Sequence, residues 1–538
     1  MRKLPLFFIA AIFLFSCNTQ TKKAEEKNEK KDKKISIRDY SITVANSYND
    51  LFLDSNDVAS YISENDLPDS ISKRITSFYN TRNYEYAWFG SDGVSEQAMG
   101  FSSLLNLDGD TSSRQKKLEN KMDKMLSSDS ITISPKDKSI INTEIYLTER
   151  LIRYTTSNFE KGFLKRKEVE RFIPFKKSDP ILLADSLINK KHKDDKYFAD
   201  VSKPYKLLMD ELKKYVEIVK SNQWLAVDGD AKSFDKKVTP QQVLALKRDL
   251  GLMGDMAVDT IPVMDVNVTN GIKSFQTRLG LTADGKLTNS LLKQINVTPV
   301  DRVKQLLINM NRMRWLPQAP AGNLIEVNTP AFTLVMYDGA KKVFDMAVVV
   351  GKEGHNTTLF SDFLTTIVFS PYWNVPSSIV KSEIVPGINK NPNYIQSHNM
   401  EITGQEGGLP VVRQKPGPEN SLGKVKFLFP NSFNIYFHDT PAKALFQKDV
   451  RAYSHGCIRL SDPQKLAEYL LRNKPEWTTE KILEAMNSGK EQFVKIKTPV
   501  PVFLTYYTSW VDENSKLNFR EDIYSHDSAV ASKMFIGK

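Results

Sequence analysis

Around residue 300 the spacing of apolar residues changes from the three-to-four-residue repeat of helices to the alternation of strands. No single core absorbs both patterns. Before the change, Ile141, Ile145, Thr148 and Ile152 recur on one helical face, as do Leu208, Leu212, Tyr215 and Val219. After it, beyond a helix around Val303 to Met313, Phe332, Leu334 and Met336 alternate with other residues. Strand-like runs follow at Val343 to Val350, Thr365 to Phe369 and Phe433 to Phe437. At 538 residues the chain also exceeds what one core can serve. The expected fold is multidomain α+β: a mainly helical scaffold over 40–236, a small three-helix module over 237–298, a mainly β domain over 299–510, and a C-terminal hairpin and tail over 511–538, with Glu513-Asn514-Ser515 as the hairpin turn and Val502, Leu504 and Tyr506 in one of its strands.

The N-terminus follows a different logic. Arg2 and Lys3 precede an apolar run from Leu4 to Phe15 that is too short to span a bilayer, which needs about 20 residues, and it ends at Ser16-Cys17. Residues 1–17 resemble a bacterial lipoprotein signal, with Leu14-Phe15-Ser16-Cys17 as the lipobox and Cys17 as the lipidated residue. Residues 18–39 are dominated up to Lys34 by charged and amide side chains and are expected to form a disordered tether. These features imply a cell-envelope protein, periplasmic and lipid-anchored at the outer membrane. The net charge of +11 lies partly in that tether. No basic motif with interleaved aromatics accompanies it, so nucleic acid is not an expected partner.

Tyr84-Glu85-Tyr86-Ala87-Trp88 reads as a core cluster in preference to a carbohydrate platform. In 237–298, Thr239 is a candidate N-cap with Pro240 at the first helical position and Gln242 completing a capping box, and the helix is expected to stop at Gly251. A second helix carries Val268, Ile272, Phe275 and Leu279 up to Gly280, and Thr288 caps a third. The run from Ile272 to Leu281, with Asp284-Gly285 and Thr288, resembles the type 1 peptidoglycan-binding domain.

Chemistry concentrates in Tyr453-Ser454-His455-Gly456-Cys457-Ile458-Arg459-Leu460. Apart from Cys17 the chain has one cysteine, Cys457, so a structural disulfide is not its purpose in the mature protein. A thiol at neutral pH needs an imidazole to take its proton before it attacks a carbonyl. Two are at hand, His455 and, upstream, His438 in Ile435-Tyr436-Phe437-His438-Asp439-Thr440-Pro441. His438, on a neighbouring strand, can approach the sulfur from the side, whereas the reach of His455 depends on how Gly456 bends the chain. The backbone N–H groups of Gly456 and Cys457 are candidate oxyanion donors, and Tyr436 shares the side of its strand with His438. A zinc site from His438, His455 and Cys457 lacks an evident fourth ligand, so no metal is expected. His192, His355, His398 and His526 have no partner pattern. Pro376 to Phe429, rich in Pro, Gly and Asn, reads as a lid over about 377–428, and Trp373 either lines the cleft or fills the core.

His438, then fifteen residues, then Ser454-His455-Gly456-Cys457-Ile458-Arg459 resembles the signature of the L,D-transpeptidase catalytic domain, also called the YkuD domain. Arg312-Met313-Arg314-Trp315-Leu316-Pro317, Pro371 to Pro376, Pro416-Gly417-Pro418 and Asn434 to Pro441 are similar to its YcbB-like branch, in which a scaffold domain and a peptidoglycan-binding module accompany the catalytic domain. The resemblance implies Cys457 as nucleophile and His438 as base, its ring oriented by the backbone carbonyl of Asp439. His455 then supports the loop or the substrate. Tyr436, Ser454, Arg459, Asp439 and Trp373 are the candidate substrate-binding residues; Arg459 stands where many relatives have Asn. It further implies a monomeric enzyme without cofactor, acting on peptidoglycan stem peptides as donor and acceptor. An L,D-carboxypeptidase and a non-catalytic wall tether are the alternatives.

Overall fold

The computed structural model describes residues 35–107, 113–126, 133–159, 173–189, 203–315 and 322–537. Cys17, most of the tether, His192 and Leu316-Pro317 lie outside them. Two compact units divide the chain: 35–93 with 133–177 form one, and 94–126 with 178–537 form the other. The helices Glu96–Leu107 and Lys203–Ser221, within the stretch read from sequence as scaffold, therefore belong to the second unit.

The first unit is built on the helices Ser55–Glu64, Asp69–Thr81 and Lys138–Phe159. The stripe Ile141, Ile145, Thr148 and Ile152 is buried. Glu85, Tyr86, Ala87 and Trp88 are fully enclosed: Trp88 donates its indole N–H to Thr148 Oγ1 (2.9 Å), and Glu144 accepts the N–H groups of Ala87 (2.7 Å) and Trp88 (3.0 Å). The aromatic run is core, with the Trp88 indole N–H and both Glu144 oxygens answered locally.

In the second unit the helices Pro240–Leu252, Val266–Leu279 and Asn289–Ile295 begin on the side-chain caps Thr239, Asp265 and Thr288. Thr239 and Gln242 form a reciprocal capping box, and Gly280 ends the second helix at φ 72°. The first helix continues through Gly251 to Leu252.

Eight strands then close on themselves: β1 (Asn323–Asn328), β2 (Thr333–Asp338), β3 (Lys341–Gly351), β4 (Ser361–Phe369), β5 (Val425–Leu428), β6 (Phe437–His438), β7 (Ile458–Leu460) and β8 (Gln492–Thr505). Their spatial order is β3-β7-β6-β5-β4-β8-β1-β2, with β2 returning to β3. The ring leaves no free edge among these eight. Its inward residues, among them Ile325, Leu334, Val348, Ile367, Phe427, Phe437, Ile458 and Val502, form one continuous core with the helix Pro463–Leu471, which Asp462 caps.

Three sequence expectations need correction. Phe433 to Phe437 is not a strand: Asn431 accepts the N–H groups of Phe433 and Ile435 (3.1 Å each) and donates to Ile435 O (2.7 Å), which curls the chain and leaves only Phe437–His438 to pair. The 377–428 segment contains secondary structure: helical turns from Ser377 to Lys390, strands Met400–Glu406 and Leu409–Gln414 that join Trp373–Asn374 in a three-stranded sheet, and β5, which belongs to the ring. The C-terminal hairpin is Ser509–Val511 with Leu517–Phe519. Val502 and Leu504 lie instead in β8, parallel to β1, and Tyr506 follows it.

Candidate active site

Strand register decides what faces outward. β6 and β7 run parallel with Phe437 opposite Ile458 and His438 opposite Arg459. Phe437, Ile458 and Leu460 are fully buried in the ring's core. Because side chains alternate along a strand, Tyr436 and His438 on one side and Cys457 and Arg459 on the other all project from the outer surface. The same parity in β5, where Val425 and Phe427 point inward, brings Lys426 out opposite His438.

His438 is almost completely buried. Its Nδ1–H donates to the Asp439 carbonyl (2.5 Å), which leaves Nε2 as the acceptor. Burial first, then the Arg459 guanidinium, lowers its pKa to about 3, and Lys426 acts in the same direction. The Cys457 thiol is half-buried and donates to Asn434 O (3.5 Å). Burial pushes its pKa up, while hydrogen bonds from the Tyr436 backbone and hydroxyl and the charge of Arg459 oppose that rise. At neutral pH Cys457 is thus a thiol and His438 a neutral imidazole; the Asn434 carbonyl holds the S–H, while Tyr436 and Arg459 favour the thiolate once a proton leaves.

The loop between them is built around Gly456, whose φ of 110° suits no side-chain-bearing residue. Thr357 Oγ1 donates to Gly456 O (2.9 Å) and accepts Gly351 N–H (3.0 Å). Ser454 is buried, its hydroxyl donating to Cys457 O (2.6 Å) and accepting Gly456 N–H (3.1 Å). Two sequence expectations fail here. Ser454 braces the loop from beneath and offers substrate nothing, and the Gly456 N–H is engaged and is no free oxyanion donor. No hydrogen bond of the described residues uses the Cys457 N–H.

Asp439 contributes its carbonyl only: its carboxylate accepts Lys424 N–H (2.9 Å) and Lys443 Nζ (2.7 Å), so it is a buried brace and not a substrate contact. His455 is turned away from His438, with Nε2 at 3.5 Å from Glu383 and its ring centroid at 4.8 Å from that of His355. The zinc triad considered from sequence is therefore not assembled. Trp373 packs against the separate cluster of Val375, Ile379, Val380, Ile384, Met400 and Val412 that holds the 373–414 segment together. Arg459 projects beside the sulfur with its Nε buried and without a partner, a cation left for an anionic or carbonyl group.

Lys426, Asn434, Thr357 and Glu383 were missed in the sequence. Only Lys426 left a signal, as the polar residue alternating between Val425 and Phe427.

Residues 322–502 match the YkuD family, the L,D-transpeptidase catalytic domain, and residues 73–212 match a scaffold domain family. The chain carries an L,D-transpeptidase catalytic domain. A Haemophilus influenzae protein named "Putative L,D-transpeptidase" is 32% identical over 254 residues, covering 44% of this chain and 50% of that relative, so the chain spans about half the relative's length. Among solved structures, an L,D-transpeptidase from Mycobacterium smegmatis aligns at 13% identity and TM-score 0.20, covering 34% of this chain and 58% of the other. One from Stackebrandtia nassauensis aligns at 14% identity and TM-score 0.21, covering 48% and 88%.

Proposed function

We propose that this chain is an L,D-transpeptidase that forms 3→3 peptidoglycan cross-links through a thioester on Cys457. The single observation that carries the mechanism is the outward row of Cys457, Tyr436, His438 and Arg459 set by the β6–β7 register, in a domain that matches the L,D-transpeptidase family. In the first step the sulfur attacks the carbonyl of the third stem residue, at its L-centre, and the thiol proton passes to His438 Nε2. That proton then goes to the departing amine of the terminal D-alanine. The Cys457 N–H, with the Tyr436 hydroxyl beside it, stabilises the oxyanion, and Arg459 holds the donor stem. In the second step an amine of a neighbouring stem attacks the thioester, His438 takes the amine proton, and the thiol is restored.

The 373–414 segment acts as a lid. Its own apolar cluster makes it a unit, and Glu383 reaches His455 in the cysteine loop, which supports closure over the site. The helices of 240–295 are proposed to hold glycan, and Cys17 to anchor a monomer at the periplasmic side of the outer membrane, in reach of donor and acceptor stems.

Intact-mass analysis of the purified chain mixed with a tetrapeptide stem tests the reading. The expected result is a covalent adduct with loss of D-alanine that persists without acceptor and clears when a second stem is added. Tripeptide as the only product, at a rate indifferent to acceptor, overturns it in favour of hydrolysis.

A further inference from the structure

On the flank of the ring opposite β6, where β1 lies four strands away in either direction, β1 and its neighbour β2 form one wall of a second groove of about 500 Å³. Ile325 and Val327 point into the core, as do Leu334 and Met336, so Glu326 and Tyr337 point out into this groove. Tyr507, after β8, and Trp510, on the C-terminal hairpin, close it from the other side. Cys457 has no part in it.

The charges here are unbalanced. Lys342 bonds to Asp345 (2.8 Å) and Glu513 (3.0 Å) at the rim, so the one cation among the described residues of the lining is already paired. Asp512 is satisfied within its turn by the N–H groups of Asn514 and Lys516 (2.9 Å each) and by Asn518 Nδ2 (3.0 Å). Glu326, at the floor, has the Thr505 hydroxyl and no cation among its described interactions, and burial pushes its pKa up to about 7. The Tyr337 and Tyr507 phenols, held protonated first by burial and then by the charge of Glu326, stand close to it. Arg520 stacks on the Trp510 ring 4.8 Å from its centroid, so that cation is directed to the indole. A half-buried carboxylate in a groove lined by aromatic residues lacks a positively charged partner among the described residues, and aromatic rings favour a cation at their faces.

We propose that this groove binds an organic ammonium group, with Glu326 as its counter-ion and Tyr337, Tyr507 and Trp510 as its aromatic wall. The class is an aliphatic amine on a flexible arm, as in a lysine or diamino-acid side chain. The site is independent of the transpeptidase reading, since it shares no residue with the Cys457 face.

Calorimetric titration of the full chain with Nα-acetyl-lysine amide tests it, with the Nα,Nε-diacetyl compound as neutral control. The expected result is saturable binding of the amine, at least tenfold weaker binding of the control, and at least tenfold loss in Glu326→Gln with the rate of Cys457 acylation unchanged. Because an acceptor amine also visits the Cys457 face under the proposed function, the component lost in Glu326→Gln is the one that counts. Trp510→Leu, outside the ring, serves as the second variant if Glu326→Gln folds poorly, and the same loss is expected. Equal binding of the neutral control, or wild-type affinity in both variants, overturns the proposal.

Discussion

His438 and Arg459 stand directly opposite each other across the parallel β6–β7 pair, so the proposed base and a positive charge share one rung of the sheet. Burial first, and that guanidinium second, lowers the pKa of His438, and the same guanidinium also acts on the Cys457 thiol.

Arg459→Gln is expected to change the pH profile of acylation. Arg459 lowers the pKa of both groups, so its removal raises both: the thiol becomes harder to ionise and the imidazole becomes a better base. The alkaline rise in acylation rate moves to higher pH, and the acid fall moves toward neutrality. Rapid-quench acylation rates between pH 4 and 10 check this, and a profile superimposable on wild type counts against the coupling.

Cys457→Ala abolishes acylation, on the order of 10³-fold or more, while stability changes by about 1 kcal/mol or less, because a half-buried sulfur contributes little packing. Ser454→Ala is the contrasting variant. It removes a hydroxyl that braces both Gly456 N–H and Cys457 O, so about 1–3 kcal/mol of stability is lost along with activity. Chemical denaturation beside intact-mass acylation separates the two.

His438 also predicts an acid-sensitivity. Its folded pKa, about 3, lies below the value of about 6.5 expected in an unfolded chain. The unfolded state therefore binds more protons in between, and the contribution of His438 is present above pH 6.5 and lost as pH falls toward 3, by at most a few kcal/mol. His438→Gln is expected to show a shallower loss of denaturation midpoint between pH 7 and pH 4. Its acylation rate at neutral pH falls on the order of 10²- to 10⁴-fold and recovers in part at alkaline pH, where hydroxide takes the thiol proton.

How much of this was legible in the sequence follows from what each feature depends on. The caps at Thr239, Thr288 and Asp462 are local hydrogen-bond chemistry, and they stand where their residue types place them. His438 and Cys457 were legible as a lone thiol with candidate bases, and the outward face of β6 and β7 follows from period-two alternation. The occupancy of Gly456 N–H by Ser454 was not, because it depends on the φ of one glycine and on Thr357, about a hundred residues upstream, holding the adjacent carbonyl. Nor was the closing of β2 onto β3 or the entry of β5 into the ring. Those pairings are long-range, and a four-residue strand with two inward side chains looks in sequence like any short loop segment.

Cys17→Ser tests the anchor, which lies outside the described residues. Transfer of the protein from the membrane to the soluble fraction is expected, with acylation in vitro unchanged, because Cys17 lies hundreds of residues from Cys457 in the chain and takes no part in the proposed chemistry. Fractionation with tight membrane association retained shows that something other than this lipid holds it; among the described residues no helix is long and apolar enough to cross a membrane.

The lid prediction turns on where the segment ends. Excising 377–428 removes β5, whose Val425 and Phe427 fill the core and whose main chain pairs with both β4 and β6, so that variant is expected to open the ring and unfold. Excising 373–414 instead removes the small sheet with its own cluster, and the ends stay close, since Asn420 Nδ2 donates to Pro371 O (3.1 Å) and Lys415 O (2.9 Å). With a short Gly/Ser bridge this variant is expected to keep the melting temperature of the catalytic domain and to lose activity on the order of 10²-fold, mostly as a raised KM, because the proposed lid would position substrate while Cys457 and His438 remain in place. Glu383→Gln is the mild version: it weakens the contact to His455 and raises KM with little change in stability. Unchanged kinetics in the trimmed variant overturns the lid, and unfolding of the trimmed variant shows that the small sheet is part of the ring's support.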